Sequence, residues 1–175
     1  VAIDRAARRA FVFNTLSNSI SVVDMVGRAV IRTIATEPSP VRGDFNRRGD
    51  RLYVIYETSP YVTVINPETG AVIKRFPVRS GMDAIKVDPN TDLVYLGGKR
   101  ELTLGIYEPF SLVAVDFLET GTGIGFLATD GEENTLYLVG PTANRVLVSP
   151  RTRRRIAGEL DVGDGPVWMS VMGEN

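Results

Sequence analysis

Residues 51–76 read RLYVIYETSPYVTVINPETGAVIKRF. Three short runs stand out: LYVIY, VTVIN and VIKRF. Val, Ile, Tyr and Phe dominate them, and each run is strand-length rather than helix-length. The polar ETSP separates the first two runs. Between the second and third lies NPETGA, where Pro67 presets φ and Gly70 accepts the positive φ of a tight hairpin. The stretch therefore predicts consecutive antiparallel strands.

The same pattern recurs outward along the chain. Tyr53 has counterparts at Phe11, Tyr95 and Tyr137, each one step of 42 residues away. Asp4, Asn46, Asp88 and Asp130 keep the same step, as do Ile20, Val62, Leu104 and Val146, and Ile34, Phe76, Leu118 and Leu160. Each unit gains a short first strand before the Asp/Asn column: VAI, GDF, IKV and LAT. The second strands are AFVFN, LYVIY, VYLGG and LYLVG, and the third ISVVD, VTVIN, LGIYE and VLVSP. The fourth are VIRTI, VIKRF, VAVDFL and RIAGEL. Pro- and Gly-rich crossings (ATEPSP, PVRSGM, ETGTGI, DVGDGP) join the units. A repeated four-stranded meander of this size is the blade of an all-β β-propeller, in which neighbours must stack to bury both faces. The register gives blades at 1–42, 43–84, 85–126 and 127–168, and an extra inner strand of a fifth blade at 169–175. Two readings stay open: an arc of a larger seven- or eight-bladed propeller, or four blades that close on themselves. An arc would leave apolar outer faces on the first and last blades and favour self-association.

With LYVIY, VTVIN and PETGAV, the second repeat resembles the YVTN-type propeller repeat. FVFNTLSNSISVVD in the first and LYLVGPTANRVLVSP with DVGDGP in the fourth are close to it. The third, GGKRELTLGIYEPFSLVAV, departs from it by lacking the Asn and the T-G turn. The resemblance implies a secreted, periplasmic or surface-layer protein. Related seven-bladed folds include lactonases and amine-dehydrogenase subunits, so fold alone does not choose an activity.

Composition narrows the chemistry. The 175 residues hold 20 Lys+Arg against 21 Asp+Glu, a net charge of −1, which argues against a polyanion binder driven by bulk charge. With no histidine and no cysteine, this sequence has no Ser-His-Asp triad, no histidine metal site, no thiolate chemistry and no disulfide. No catalytic residue, metal ligand or cofactor is assigned. No apolar run approaches the ~18 residues of a membrane span. The chain opens on Val1 without a signal peptide, as a processed protein or an excised fragment would.

The loops between second and third strands are the expected ligand-binding face. They offer Tyr56, Glu57, Tyr61, Lys99, Arg100, Glu101, Asn144 and Arg145. As exposed aromatics with charged neighbours, these would meet a protein or a small ligand. Trp168, the single tryptophan, would line the channel or pack between blades. Arginines gather at Arg5, Arg8, Arg9, Arg47, Arg48 and Arg51, and at Arg151, Arg153, Arg154 and Arg155, in turns of the opposite face. They suggest either a solvated face with mixed ion pairs or a phosphate-binding one. RGD occurs at Arg42-Gly43-Asp44 and Arg48-Gly49-Asp50, read as turn chemistry ahead of adhesion. ETGTGIG at 119–125 looks like a phosphate loop but precedes a strand, so it reads as a crossing. The sequence thus points to a non-catalytic exported binding module. An enzyme domain of lactonase-like or quinoprotein-like type and a nucleic-acid binder through the arginine turns are the alternatives.

Overall fold

The alternating runs fold as four antiparallel meanders in a computed structural model that describes residues 1–171. Blade 1 holds β1 (Ala2–Asp4), β2 (Arg9–Asn14), β3 (Ser19–Asp24) and β4 (Ala29–Ala35). Blade 2 holds β5 (Pro40–Phe45), β6 (Leu52–Tyr56), β7 (Tyr61–Ile65) and β8 (Val72–Pro77). Blade 3 holds β9 (Ala84–Val87), β10 (Val94–Gly97), β11 (Thr103–Tyr107) and β12 (Ala114–Glu119). Blade 4 holds β13 (Phe126–Asp130), β14 (Thr135–Gly140), β15 (Arg145–Pro150) and β16 (Gly158–Asp161). In every blade the strands pair in sequence order, and no helix occurs among the described residues.

The repeat columns become contacts. Ile20 pairs with Ile34, Val62 with Phe76, Leu104 with Leu118 and Val146 with Leu160, always between third and fourth strands. The Asp/Asn column closes the first turn of each blade. Asp4 accepts from Ala7 N–H, Asn46 from Arg51 N–H, Asp88 from Asn90 and Thr91 N–H, and Asp130 from Glu132 and Glu133 N–H. The third-to-fourth turns put Arg28, Gly70, Leu112 and Arg154 at positive φ, again one residue per period. Leu112 takes this conformation in the repeat that lacks the T-G turn, so the turn survives there without its glycine.

Blade 4 differs from expectation at its outer strand. RIAGEL predicts a strand from Arg155, but β16 begins at Gly158. In the other three blades the third-to-fourth ladder shifts register at Val22/Val23, Val64/Ile65 and Ile106/Tyr107 and then resumes. In blade 4 the ladder ends at the corresponding place, Val148 opposite Gly158. The inner strand expected at 169–175 also differs: residues 169–171 lie in no strand, and 172–175 are outside the described residues. A first strand is held by the second strand of its own blade, as β1 is by β2. Met169 to Val171 have no such partner among the described residues.

The chain divides into two units, Val1–Gly81 and a second beginning at Met82. In the first, Ala2, Phe11, Ile20, Val22 and Ile34 of blade 1 pack against Leu52, Val54, Tyr56 and Ile65 of blade 2. In the second, Ala84, Tyr95, Leu104, Ile106 and Leu118 of blade 3 meet Leu127, Leu136, Leu138 and Leu147 of blade 4. Burying each large apolar side chain contributes about 1.5–3 kcal/mol, so the face-to-face contact of two blades holds each unit. Gly43 in β5 shows how tight the first contact is: a Cβ there would meet Phe13 Cζ at 2.8 Å and the Tyr53 carbonyl at 2.7 Å.

Candidate functional site

In every blade a backbone hydrogen bond of the repeat's period ties the loop after the second strand to the crossing that leaves the blade. Thr36 N–H donates to Asn18 O, Val78 to Pro60 O, Thr120 to Leu102 O and Val162 to Asn144 O, at 2.8–3.0 Å. Donors and acceptors both advance by 42 residues. Two asparagines add a side-chain bond of the same period: Asn18 Oδ1 accepts from Ser39 N–H and Asn144 Oδ1 from Gly165 N–H. Loop and crossing therefore share one edge of their blade and are fixed to each other.

In the first unit, this edge carries Glu57 and Tyr61 exposed and Tyr56 buried. Tyr56 corrects the expectation of an exposed aromatic. It ends β6, the wholly buried central strand, and its ring joins the core between blades 1 and 2. Its phenol is buried, as are the hydroxyls of Ser59 and Thr63. Burial raises the Tyr56 pKa, with Thr63 opposing, the Glu37 charge adding and Arg75 opposing. Glu37 and Arg75 pair at 2.8 Å. Nothing in the repeat pattern points to this cluster, because its members come from a crossing, a loop, two inner strands and an outer strand.

In the second unit, Lys99 is held at both ends by Asp83: its N–H at 2.9 Å and its ammonium at 3.3 Å. Arg100 is exposed and Glu101 half-buried beside it. Asn144 has positive φ and spends its side chain on Gly165 N–H and Asp164. Arg145 bridges Glu159 and Asp161 at 2.9 and 3.2 Å. Trp168 is 67% exposed, tilted against Phe126 at 6.3 Å between ring centroids. It is not sandwiched between blades. Residues 166–171 form no strand that would carry it inward.

The opposite edge holds the arginine turns. Arg151 is not on a solvated surface. It pairs with Asp88 at 2.7 Å, both side chains only 3% exposed, and also donates to Asp130 O. Asp88 further accepts from the Tyr95 hydroxyl at 3.1 Å. Burial, then the Asp88 charge and hydrogen bond, drive the Tyr95 pKa far up. Arg154 pairs with Asp116 at 3.2 Å. Arg42-Gly43-Asp44 lies inside β5, while Arg48-Gly49-Asp50 occupies the following turn, with Gly49 at positive φ. ETGTGIG joins β12 to β13 as a crossing. Among the described residues, no group of three or more His, Cys, Asp or Glu is placed to hold a metal, and no helix is long and apolar enough to cross a membrane.

A chain of hydrazine synthase from Kuenenia stuttgartiensis, a β-propeller-containing protein, has a similar structure, with a TM-score of 0.82 at 19% identity. The fold is a β-propeller. The match covers 90% of this chain and 47% of the other, so this propeller sequence spans about half that chain's length. At that identity the likeness concerns the fold alone. No family model and no curated protein matches the sequence.

Proposed function

We propose that the protein is a non-catalytic, exported propeller module whose loop edges bind a protein or small ligand. The observation that carries this reading is the bond of period 42 between loop and crossing. It fixes the loop backbone, while Glu57, Tyr61 and Arg100 remain exposed on it. A preordered backbone with outward side chains lowers the entropy lost on binding. Lys99 and Arg145 are engaged in ion pairs that shape the edge, which favours recognition over proton transfer. Export is supported by the YVTN-type resemblance of the repeats. Leu160 and Trp168, exposed on blade 4, favour self-association as one mode of binding.

Site-specific photo-crosslinking in the native host tests the reading. Crosslinkers replacing Tyr61 or Arg100 are expected to give discrete adducts, and one replacing Glu132, exposed on the opposite edge in the second unit, none. Equal labelling from both edges, or none from the loop edge, overturns it.

A further inference from the structure

The internal repeat supplies a reference for a cavity in the first unit. About 360 Å³ in volume, it is lined by Asp4, Ala6, Ala7 and Arg9 of blade 1 and by Arg48, Gly49, Asp50, Asn66, Pro67 and Glu68 of blade 2. Shifting Asp4 by two periods gives Asp88, and shifting Pro67 by two periods gives Arg151. Those are the partners of the buried ion pair between blades 3 and 4. The same place between two blades thus holds a guanidinium in one unit and a cavity in the other.

Two of the differences remove a partner from the blade 1 carboxylate, whereas Arg9, in the place of Leu93, sets a cation across the strands from it. Asp88 accepts from its own turn, from the Tyr95 hydroxyl and from Arg151. Asp4 accepts from its own turn at Ala7 N–H. Phe11 stands where Tyr95 does and has no hydroxyl, and Pro67 has no donor at all. Asp50 and Glu68 add two further carboxylates to the wall. Of the two cations there, Arg9 stands across the strands from both Asp4 and Asp24, which offset its charge. Arg48 is exposed on the β5–β6 turn.

We infer that this cavity binds a guanidinium group supplied from outside the chain, seated on Asp4 as Arg151 is seated on Asp88. Planar guanidinium on carboxylate is a charge-assisted, geometrically selective pair, and the cavity has room for a whole arginine side chain. The seat lies on the edge opposite the loops, so it stands or falls separately from loop-edge binding.

Titration calorimetry with agmatine tests it, with amide shifts of Ala6, Ala7 and Gly49 reporting the place. Saturable binding to the wild-type chain is expected. Asp4→Asn keeps the turn acceptor and should weaken agmatine about tenfold or more. Pro67→Arg should fill the cavity from within and abolish binding. Should Pro67→Arg fail to fold, Asp4→Asn decides alone. A Gly-Arg-Gly peptide binding more tightly than agmatine would identify the source as a partner protein's arginine, and the reverse order a free guanidinium compound. No agmatine binding, equal binding to wild type and Asp4→Asn, or binding of inorganic phosphate at these amides overturns the inference.

Discussion

Arg151 Nη1 lies 2.7 Å from Asp88 Oδ1 across the contact of blades 3 and 4, from residues 63 positions apart. Both are buried, so the pair is held where water cannot replace a missing partner. Removing one member of a buried pair costs about 3–5 kcal/mol, because a bare charge is left behind. Arg151→Met is expected to fall in that range by urea denaturation. Adding Asp88→Asn should recover much of the loss, since asparagine keeps an acceptor for the turn and carries no charge.

Tyr95 links the same carboxylate to pH. Its pKa, and those of Tyr56 and Tyr137, lie above the ordinary 10.0, with burial the largest cause in each. A phenol raised by folding gives stability that is complete below pH 10, its unfolded value. That stability is lost as pH climbs from there through the folded value. Stability measured up the alkaline limb should therefore fall, and Tyr95→Phe should flatten the fall. At neutral pH the same change should cost about 1.5–3 kcal/mol, the worth of a hydrogen bond to a charged group.

Gly123 sits in a crossing where a Cβ would come within 1.8 Å of the Lys99 carbonyl oxygen. Backbone on both sides leaves little to yield. Gly123→Ala is expected to lower stability by about 3 kcal/mol, read as a drop in thermal midpoint. A variant as stable as the parent would mean that the crossing is looser than described.

Arg28 holds φ at 53° on an exposed turn, in the column where blade 2 has Gly70. The left-handed conformation costs a side-chain-bearing residue about 1–2 kcal/mol, and glycine's greater freedom when unfolded offsets part of that. Arg28→Gly should raise stability by about 0.5–1 kcal/mol. Leu112 shares the conformation but is buried, so Leu112→Gly should lose more in packing than it gains.

Legibility followed the repeat. Pairs such as Ile20–Ile34 and Val62–Phe76 come from columns that keep one spacing, so the period exposed them. The turns followed for the same reason. Asp88–Arg151 did not, because residue 151 is Met25, Pro67 and Pro109 in the other repeats, and only one copy carries the charge. Tyr56 misled because loop position suggests exposure, whereas its ring faces the neighbouring blade. Trp168 misled because the register assumed a strand whose pairing partner is missing among the described residues.

The bond between loop and crossing has a further consequence. Its acceptors are the carbonyls of Asn18, Pro60, Leu102 and Asn144, and its donors are backbone amides. Neither side asks anything of a side chain, which is why such unlike residues occupy the acceptor position. Loop sequences can therefore drift without unfastening the frame. Each blade can change its recognition chemistry separately, and descendants of one scaffold can diverge in what they recognise while keeping the same skeleton.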